Sequence, residues 1–248
     1  GARSLPYNRK MANRFLRLPL TFRQELLLED AEHCLSVKWP EHFNRRDYSG
    51  KWSSIALRSA SGEISDIMSV PGQSEYRDTA LLSECPYFRT VVDGLHCVKE
   101  TVRLPRLEAG SVIHEHRDPG ASYADGFFRL HVPITSNAET RFLVDGETLA
   151  MQPGECWYVD FGLTHSVNNG GKTDRIHLTI DGLRNSWTDE LFARAGYDFE
   201  EEARSKSMDE DTLRRVVETL RSRGTETDLR LADELKRSEK ERAEHVML

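Results

Sequence analysis

The sequence lacks several features that mark common classes of protein. Its four cysteines, Cys34, Cys85, Cys97 and Cys156, are widely spaced and form no CxxC pair, so neither a zinc knuckle nor a disulfide framework is indicated. No apolar run approaches the roughly 18 residues of a membrane span, and no secretory signal is visible. The formal net charge of −7 argues against a nucleic-acid footprint. We therefore expect a cytoplasmic protein with neither nucleic acid nor a membrane as its partner.

Motifs for two large enzyme classes are missing as well. The chain has no phosphate-cradling glycine loop and no nucleophile elbow of the kind found in many hydrolases. Nucleotide binding and serine-type hydrolysis therefore receive little support.

What the sequence does contain, from about residue 98 to 182, is a series of strand signals. Short segments rich in β-branched and aromatic residues alternate with turns about every eight to twelve residues. Asp145-Gly146 is a strong signal for a two-residue hairpin, and Pro153-Gly154 marks the next turn. This pattern predicts a mainly β protein with the double-stranded β-helix (jelly-roll, cupin-like) fold and flanking helices.

Apolar residues recur at helical spacing on both sides of this region. We expect residues 11–184 to form the double-stranded β-helix domain, with a mixed N-terminal part and a core at about 98–182. Residues 185–248 should form a helical C-terminal extension, which would cap the β fold or provide the contact of a homodimer.

His116, Asp118 and His165 are the candidate metal ligands. Residues i and i+2 of a strand share a face and lie about 6.5 Å apart, so His116 and Asp118 can converge on one ion. His165 follows another strand and would complete the site. Two histidines and a carboxylate form the facial triad of non-heme Fe(II) oxygenases, with open positions for a co-substrate and O2. His114 shares the predicted face, and His114, His116 and His165 would instead suit a cupin, although the glutamate expected shortly afterwards is missing.

Two arginines could hold an acidic co-substrate. Arg175 opens an otherwise apolar strand, and Arg129 shares a strand face with His131. Arginine presents two donors to one carboxylate, and a buried arginine needs an anionic partner. The distal carboxylate of 2-oxoglutarate would supply that anion; ordinary salt bridges at strand edges are the alternative.

Four segments together carry a family resemblance. Residues 116–118, 128–133, 154–166 and 175–181 resemble the aspartyl/asparaginyl β-hydroxylase family, most closely its bacterial free-amino-acid hydroxylases of the L-proline cis-4-hydroxylase type. The resemblance implies a double-stranded β-helix, Fe(II) and 2-oxoglutarate. It also implies that the metal ligands are His116, Asp118 and His165, and that 2-oxoglutarate is faced by Arg129, His131 and Arg175.

The function expected from these residues is an Fe(II)- and 2-oxoglutarate-dependent dioxygenase. It would use O2 to hydroxylate an unactivated C–H bond of a free amino acid, or of an amino-acid residue in a peptide, with release of succinate and CO2. Arg117, Arg58 and His177 are weaker candidates for substrate contacts. Two alternatives remain open: a cupin metalloenzyme that does not use 2-oxoglutarate, and a non-catalytic jelly-roll protein that binds a small acid.

Overall fold

The computed structural model describes residues 13–69 and 75–246 of the chain. It divides into two compact units, Gly1–Tyr197 and Asp198–Leu248. The boundary predicted between residues 184 and 185 falls at the end of the last strand and stays a prediction.

The described part of the first unit holds twelve strands and four α-helices. The strands are β1 (Phe15–Thr21), β2 (Tyr48–Ser49), β3 (Trp52–Ser59), β4 (Arg77–Asp78), β5 (Lys99–Leu107), β6 (Val112–His116), β7 (Phe127–Thr135), β8 (Thr140–Val144), β9 (Glu147–Leu149), β10 (Glu155–Val159), β11 (His165–Asn169) and β12 (Arg175–Leu183). The helices are α1 (Gln24–Cys34), α2 (Ala80–Ser83), α3 (Pro86–Asp93) and α4 (Ser186–Arg194).

The strands form two antiparallel sheets. The larger has the order β1-β10-β7-β12-β5-β3-β4, and the smaller has the order β2-β6-β11-β8-β9. From β5 onward the chain crosses back and forth between the sheets, with β5, β7, β10 and β12 in one and β6, β8, β9 and β11 in the other. This alternation is the jelly-roll arrangement. The predicted mainly β fold with flanking helices is confirmed.

The apolar core between the sheets takes side chains from both of them. Phe142 and Val144 of β8 and Val167 of β11 pack in the same buried cluster as Leu107 of β5 and Val159 of β10. The predicted hairpin at Asp145-Gly146 joins β8 to β9, with positive φ angles of 49° and 79°. These angles suit the tight turn that the Asp-Gly pair predicts.

Strand β12 lies in the middle of the larger sheet, and its residues from Arg175 to Gly182 are all buried. Its even-numbered residues, such as Leu178, are apolar, as expected of a central strand. The odd-numbered ones are polar: Arg175, His177, Thr179 and Asp181. Because alternate residues of a strand share a face, this places a polar, buried surface on one side of the sheet.

The second unit is described by itself as a helical hairpin. Helices α5 (Phe199–Arg223) and α6 (Glu226–Val246) follow one another closely, and α5 ends at Gly224, which has a left-handed φ of 68°. Val217, Leu220 and Ala232 form its small apolar core. Among the helices of the described residues, none combines the length and the apolar character that a membrane crossing requires.

Candidate active site

A β-bulge in β6 decides which histidine reaches the interior. His116 pairs with His165 and Ile113 pairs with Val167, so two residues of β6 stand opposite one residue of β11. A bulge of this kind inserts one residue and reverses the facing of the residues after it. Ile113 and His116 therefore both line the central cavity, whereas His114 is exposed and bonds the Ser49 hydroxyl at 2.9 Å. The prediction that His114 shares the face of His116 and Asp118 is wrong for this reason.

His116, Asp118 and His165 come together as a possible metal site. Each offers one ligand atom, and these three atoms all lie within 4.8 Å of one another. The imidazole rings of His116 and His165 are 4.2 Å apart between centroids, and His116 Nε2 lies 3.9 Å from Asp118 Oδ1. No other such cluster of histidine, cysteine and acidic residues occurs within residues 13–69 and 75–246.

Backbone contacts hold both histidines ready for a metal. Nδ1 of His116 lies 2.8 Å from the carbonyl oxygen of His114, and Nδ1 of His165 lies 2.9 Å from that of Leu163. A carbonyl oxygen only accepts, so each Nδ1 carries a proton, and in the neutral ring Nε2 is the nitrogen left with a lone pair that can bind a metal. Burial lowers the pKa of His165 to about 4, which keeps this ring neutral at physiological pH.

The triad opens into a cavity of about 380 Å³ between the sheets. Its wall includes all three triad residues together with Arg129, His131 and Arg175. The structure thus brings the six predicted site residues to one cavity. A volume in this range suits a small-molecule ligand.

Arg175 is 4% exposed, and no carboxylate among the described residues pairs with it. Its Nη2 donates to His177 Nδ1 at 3.2 Å, and its guanidinium lies 5.4 Å from the centre of the Phe142 ring. Burial lowers the pKa of Arg175 to about 9. A buried cation without a counter-ion is costly unless an anion binds beside it.

His131 continues this network toward the cavity. Its Nδ1 lies 3.3 Å from His177 Nδ1, and its Nε2 is buried without a hydrogen-bond partner in the described structure. Burial, with help from Arg175, holds the pKa of both His131 and His177 well below the usual range. The pair therefore contributes neutral rings beside a charged guanidinium.

Arg129 has protein partners of its own. Its Nε and Nη2 donate to the two oxygens of Asp181 at 2.6 and 3.0 Å, and its Nη1 donates to Asp118 Oδ2 at 3.3 Å. Burial acts to lower the pKa of Arg129, but Asp181 and Asp118 outweigh it and raise that pKa. The predicted contact of Arg129 with 2-oxoglutarate stays a prediction.

Asp181 is a site residue that the sequence patterns did not single out. It is fully buried and accepts hydrogen bonds from Arg129, Arg103 and Thr101. Burial would raise the pKa of this carboxyl, but the two arginines hold it well below its usual range. The signal for Asp181 in the sequence was the alternation of polar residues along β12, because a central strand with a purely structural role is normally apolar.

The three weaker candidates lie off the cavity wall. Arg117 is exposed and donates to Thr164 Oγ1 at 2.7 Å. Arg58 pairs with Asp78 at 2.7 Å. His177 reaches the cavity only through its contacts with Arg175 and His131.

An aromatic stack forms the wall of the cavity on the side of β3. His42 lies between two rings, with its centroid 3.6 Å from that of Trp52 and 4.4 Å from that of Phe43. Phe43 is 61% exposed even though it lines the cavity. Burial lowers the pKa of His42 to about 4, so the stack is uncharged and suits an apolar group.

Comparison with known proteins finds curated relatives that are similar in sequence. The chain is similar to an L-proline cis-4-hydroxylase of Rhizobium meliloti (strain 1021), with 29% identity over 135 residues that cover 53% of this chain and 48% of that protein. It is similar to L-proline cis-3-hydroxylase 2 of a Streptomyces species, with 27% identity over 172 residues that cover 64% of this chain and 56% of that protein. The chain thus spans about half the length of the curated relatives that it matches.

Among solved structures, a Pseudomonas putida prolyl-4-hydroxylase matches with a TM-score of 0.45 and 12% identity, covering 70% of this chain and 94% of that one. The profile described as Aspartyl/Asparaginyl beta-hydroxylase matches residues 21–185, which is more than half of the chain. The chain therefore belongs to the aspartyl/asparaginyl β-hydroxylase family.

Proposed function

We propose that this protein is an Fe(II)- and 2-oxoglutarate-dependent dioxygenase that hydroxylates an unactivated C–H bond of an amino acid, with release of succinate and CO2. The observation that carries the proposal is the content of one cavity. A triad of two histidines and one carboxylate shares it with Arg175, a buried arginine that has no acidic partner within the described structure.

The residues fit an iron ion. His116 and His165 can each offer Nε2 to a metal, because Nδ1 is engaged by a backbone carbonyl, and Asp118 offers an oxygen; this is the ligand set that Fe(II) oxygenases use. When bound, the iron would supply the activation of O2 that hydroxylation of a C–H bond requires. The chain's own part is to hold the three ligands on one side, so that the remaining positions stay open.

The residues also fit 2-oxoglutarate. Its distal carboxylate would receive two donors from Arg175 and would relieve the buried charge. His131 lines the same cavity, and its unpartnered Nε2 could donate to the acid only in the tautomer that carries the proton on that nitrogen. Phe142, whose ring centre lies 5.4 Å from the Arg175 guanidinium, is buried and would help to exclude water from this end of the cavity.

The substrate we propose is a free amino acid, with a peptide or carrier-bound residue as the broader class. The curated relatives are named as hydroxylases of L-proline, so L-proline heads the candidates. The neutral stack of His42, Phe43 and Trp52 would pack against the apolar part of such a molecule. A homodimer and a cytoplasmic location remain predictions.

A cupin site built from His114, His116 and His165 is not favoured. The bulge in β6 turns His114 to the surface, and its imidazole bonds Ser49 instead of facing the cavity. This leaves the dioxygenase as the function that the site supports best.

The test is succinate formation from 2-oxoglutarate, with Fe(II) under air, across a panel of free amino acids and short peptides. His116→Ala should abolish the activity because it removes a metal ligand. His114→Ala is the matched control: it removes a histidine two residues away that lies outside the cavity, and it should leave activity close to that of the wild type. Substrate-stimulated succinate in the His116→Ala variant would refute the triad, and binding of a small acid without any succinate would favour a binding protein.

A further inference from the structure

Two arginines and one fully buried carboxylate form a charge cluster behind the triad. Asp181 is 0% exposed and bonds Arg103 Nη2 at 3.0 Å, Arg129 Nε at 2.6 Å and Thr101 Oγ1 at 2.6 Å. Ser69 is the fourth residue that donates to this carboxylate, through its hydroxyl at 2.7 Å. A buried ion pair with this many hydrogen bonds is held in a single arrangement.

The cluster reaches the triad through one arm of Arg129. Asp181 occupies Nε and Nη2 of this guanidinium, which fixes its plane, and leaves Nη1 to donate to Asp118 Oδ2 at 3.3 Å. The other oxygen of Asp118, Oδ1, lies on the side of His116 Nε2 at 3.9 Å. The two oxygens of Asp118 therefore have different neighbours.

Asp118 has few other restraints. It lies two residues beyond the end of β6, and its side chain is 40% exposed. Its backbone N–H donates to the carbonyl of Phe161 at 2.9 Å, which fixes the main chain and leaves the carboxylate able to turn toward solvent. Arg129 is the group that keeps the carboxylate turned inward.

We infer that Arg129, held in place by Asp181, is a positioning residue that fixes the orientation of the metal ligand Asp118. The inference rests on the proposed function, because it needs a metal at the triad. Oxygen Oδ2 stays on the guanidinium, and Oδ1 is presented to the ion alongside the two imidazoles. Partners that orient ligands in this way typically change metal affinity by about 10- to 100-fold when removed.

If Arg129 positions Asp118, removing Arg129 should change the metal affinity in the direction opposite to the one that electrostatics alone predicts. A guanidinium close to a cation site repels the cation, so charge alone would make the metal bind more tightly once Arg129 is removed. Positioning predicts weaker binding, because Asp118 is then free to swing away. The direction of the change decides between the two.

The experiment is a titration of the metal-free protein with Co(II), followed by its visible absorption, for wild type, Arg129→Met and Arg129→Lys. The variants should fold, because Asp181 keeps Arg103, Ser69 and Thr101 as partners. Arg103→Met is the matched control: it removes an equal charge from the same carboxylate, but the hydrogen bonds of this arginine go to Asp181 and Ile67 and not to Asp118. A double-mutant cycle with Asp118→Ala tests whether Arg129 acts through Asp118.

We expect Arg129→Met to bind Co(II) about 10- to 100-fold more weakly than wild type, and Arg103→Met to bind it at least as tightly. Lysine keeps the charge but lacks the planar fork that joins two carboxylates, so Arg129→Lys should also bind weakly. In the Asp118→Ala background, Arg129→Met should cause no further weakening.

Wild-type or tighter binding by Arg129→Met, full rescue by lysine, or equal weakening in the Asp118→Ala background would each overturn the inference. If the methionine variant failed to fold, as judged by circular dichroism, the lysine variant would decide alone. Failure of the proposed function looks different: the wild type would not bind Co(II), or His116→Ala would bind it equally well.

Discussion

Replacing Arg175 with methionine should have opposite effects on the stability of the ligand-free protein and on that of the protein with bound 2-oxoglutarate. Arg175 is buried, has no acidic partner among the described residues, and has a pKa lowered to about 9. A buried charge of this kind lowers the free energy of unfolding until an anion binds beside it. Methionine fills a similar volume without charge.

The size of each effect can be worked out from the contacts. A pKa near 9 for an arginine corresponds to about 5 kcal/mol of lost solvation of the charged form. The ring of Phe142 returns about 2 kcal/mol, and the hydrogen bond to His177 returns about 1.5–3 kcal/mol. Without ligand, the methionine variant should therefore be as stable as wild type or more stable by about 1 kcal/mol.

With 2-oxoglutarate the order should reverse. At a concentration 100-fold above the dissociation constant, the ligand stabilises wild type by about 2.7 kcal/mol. Loss of one partner of a buried charge pair weakens binding by about 2–5 kcal/mol, so the same concentration stabilises the variant by less than about 1 kcal/mol.

Thermal unfolding with and without 2-oxoglutarate, in the presence of Zn(II) to prevent turnover, measures both effects. For a chain of this size, the ligand should raise the Tm of wild type by about 5–10 °C and that of the variant by much less. Equal stabilisation of both proteins would show that the carboxylate binds elsewhere. A variant several kcal/mol less stable without ligand would show that Arg175 is a structural residue.

Two further predictions concern stability. Burial keeps the pKa of His131 and His177 well below the usual range. Below about pH 6.5 the unfolded chain therefore binds more protons than the folded protein does. The free energy of unfolding should have its full value above that pH and should fall as the pH decreases. Urea unfolding of the metal-free protein at pH 7.5 and pH 5 checks this, and His177→Gln should show a smaller difference; an unchanged difference would contradict it. Gly154→Ala should lower the free energy of unfolding by about 1–3 kcal/mol more than Gly146→Ala, because both glycines have positive φ but only the added methyl group at Gly154 would clash with the backbone of Phe22. Equal losses in the two alanine variants would show that backbone strain alone is responsible.

Much of the site was predictable because its residues carry strong local signals. The Asp145-Gly146 turn and the β-branched segments indicate strands through the local preferences of their residues. The order and spacing of His116, Asp118, His165 and Arg175 then reduce the number of reactions that the candidate site could carry out. These features depend on residues close in sequence or on a known pattern of ligand types.

The rest depends on long-range geometry. Arg129 and Asp181 are 52 positions apart, and no local pattern indicates that β7 and β12 lie side by side with these two residues opposite each other. The prediction of the face on which His114 lies fails for another reason. Residues 112–118 look the same with or without a bulge, and pairing with β11 decides the matter.

The bulge in β6 determines which side chains of this strand face the cavity. The segment from His114 to Asp118 contains two alternative sets of ligands, and the single extra residue opposite Ser166 selects the set that includes Asp118. If β6 paired with β11 without the bulge and Ile113 stayed inward, regular alternation would turn His114, His116 and Asp118 all toward the surface, and the cavity would lose two of its three predicted metal ligands. In such a fold, a change of register by one residue can remove a metal site while every ligand residue is still present in the sequence, so protein engineering should preserve the bulge as strictly as the identity of the histidines.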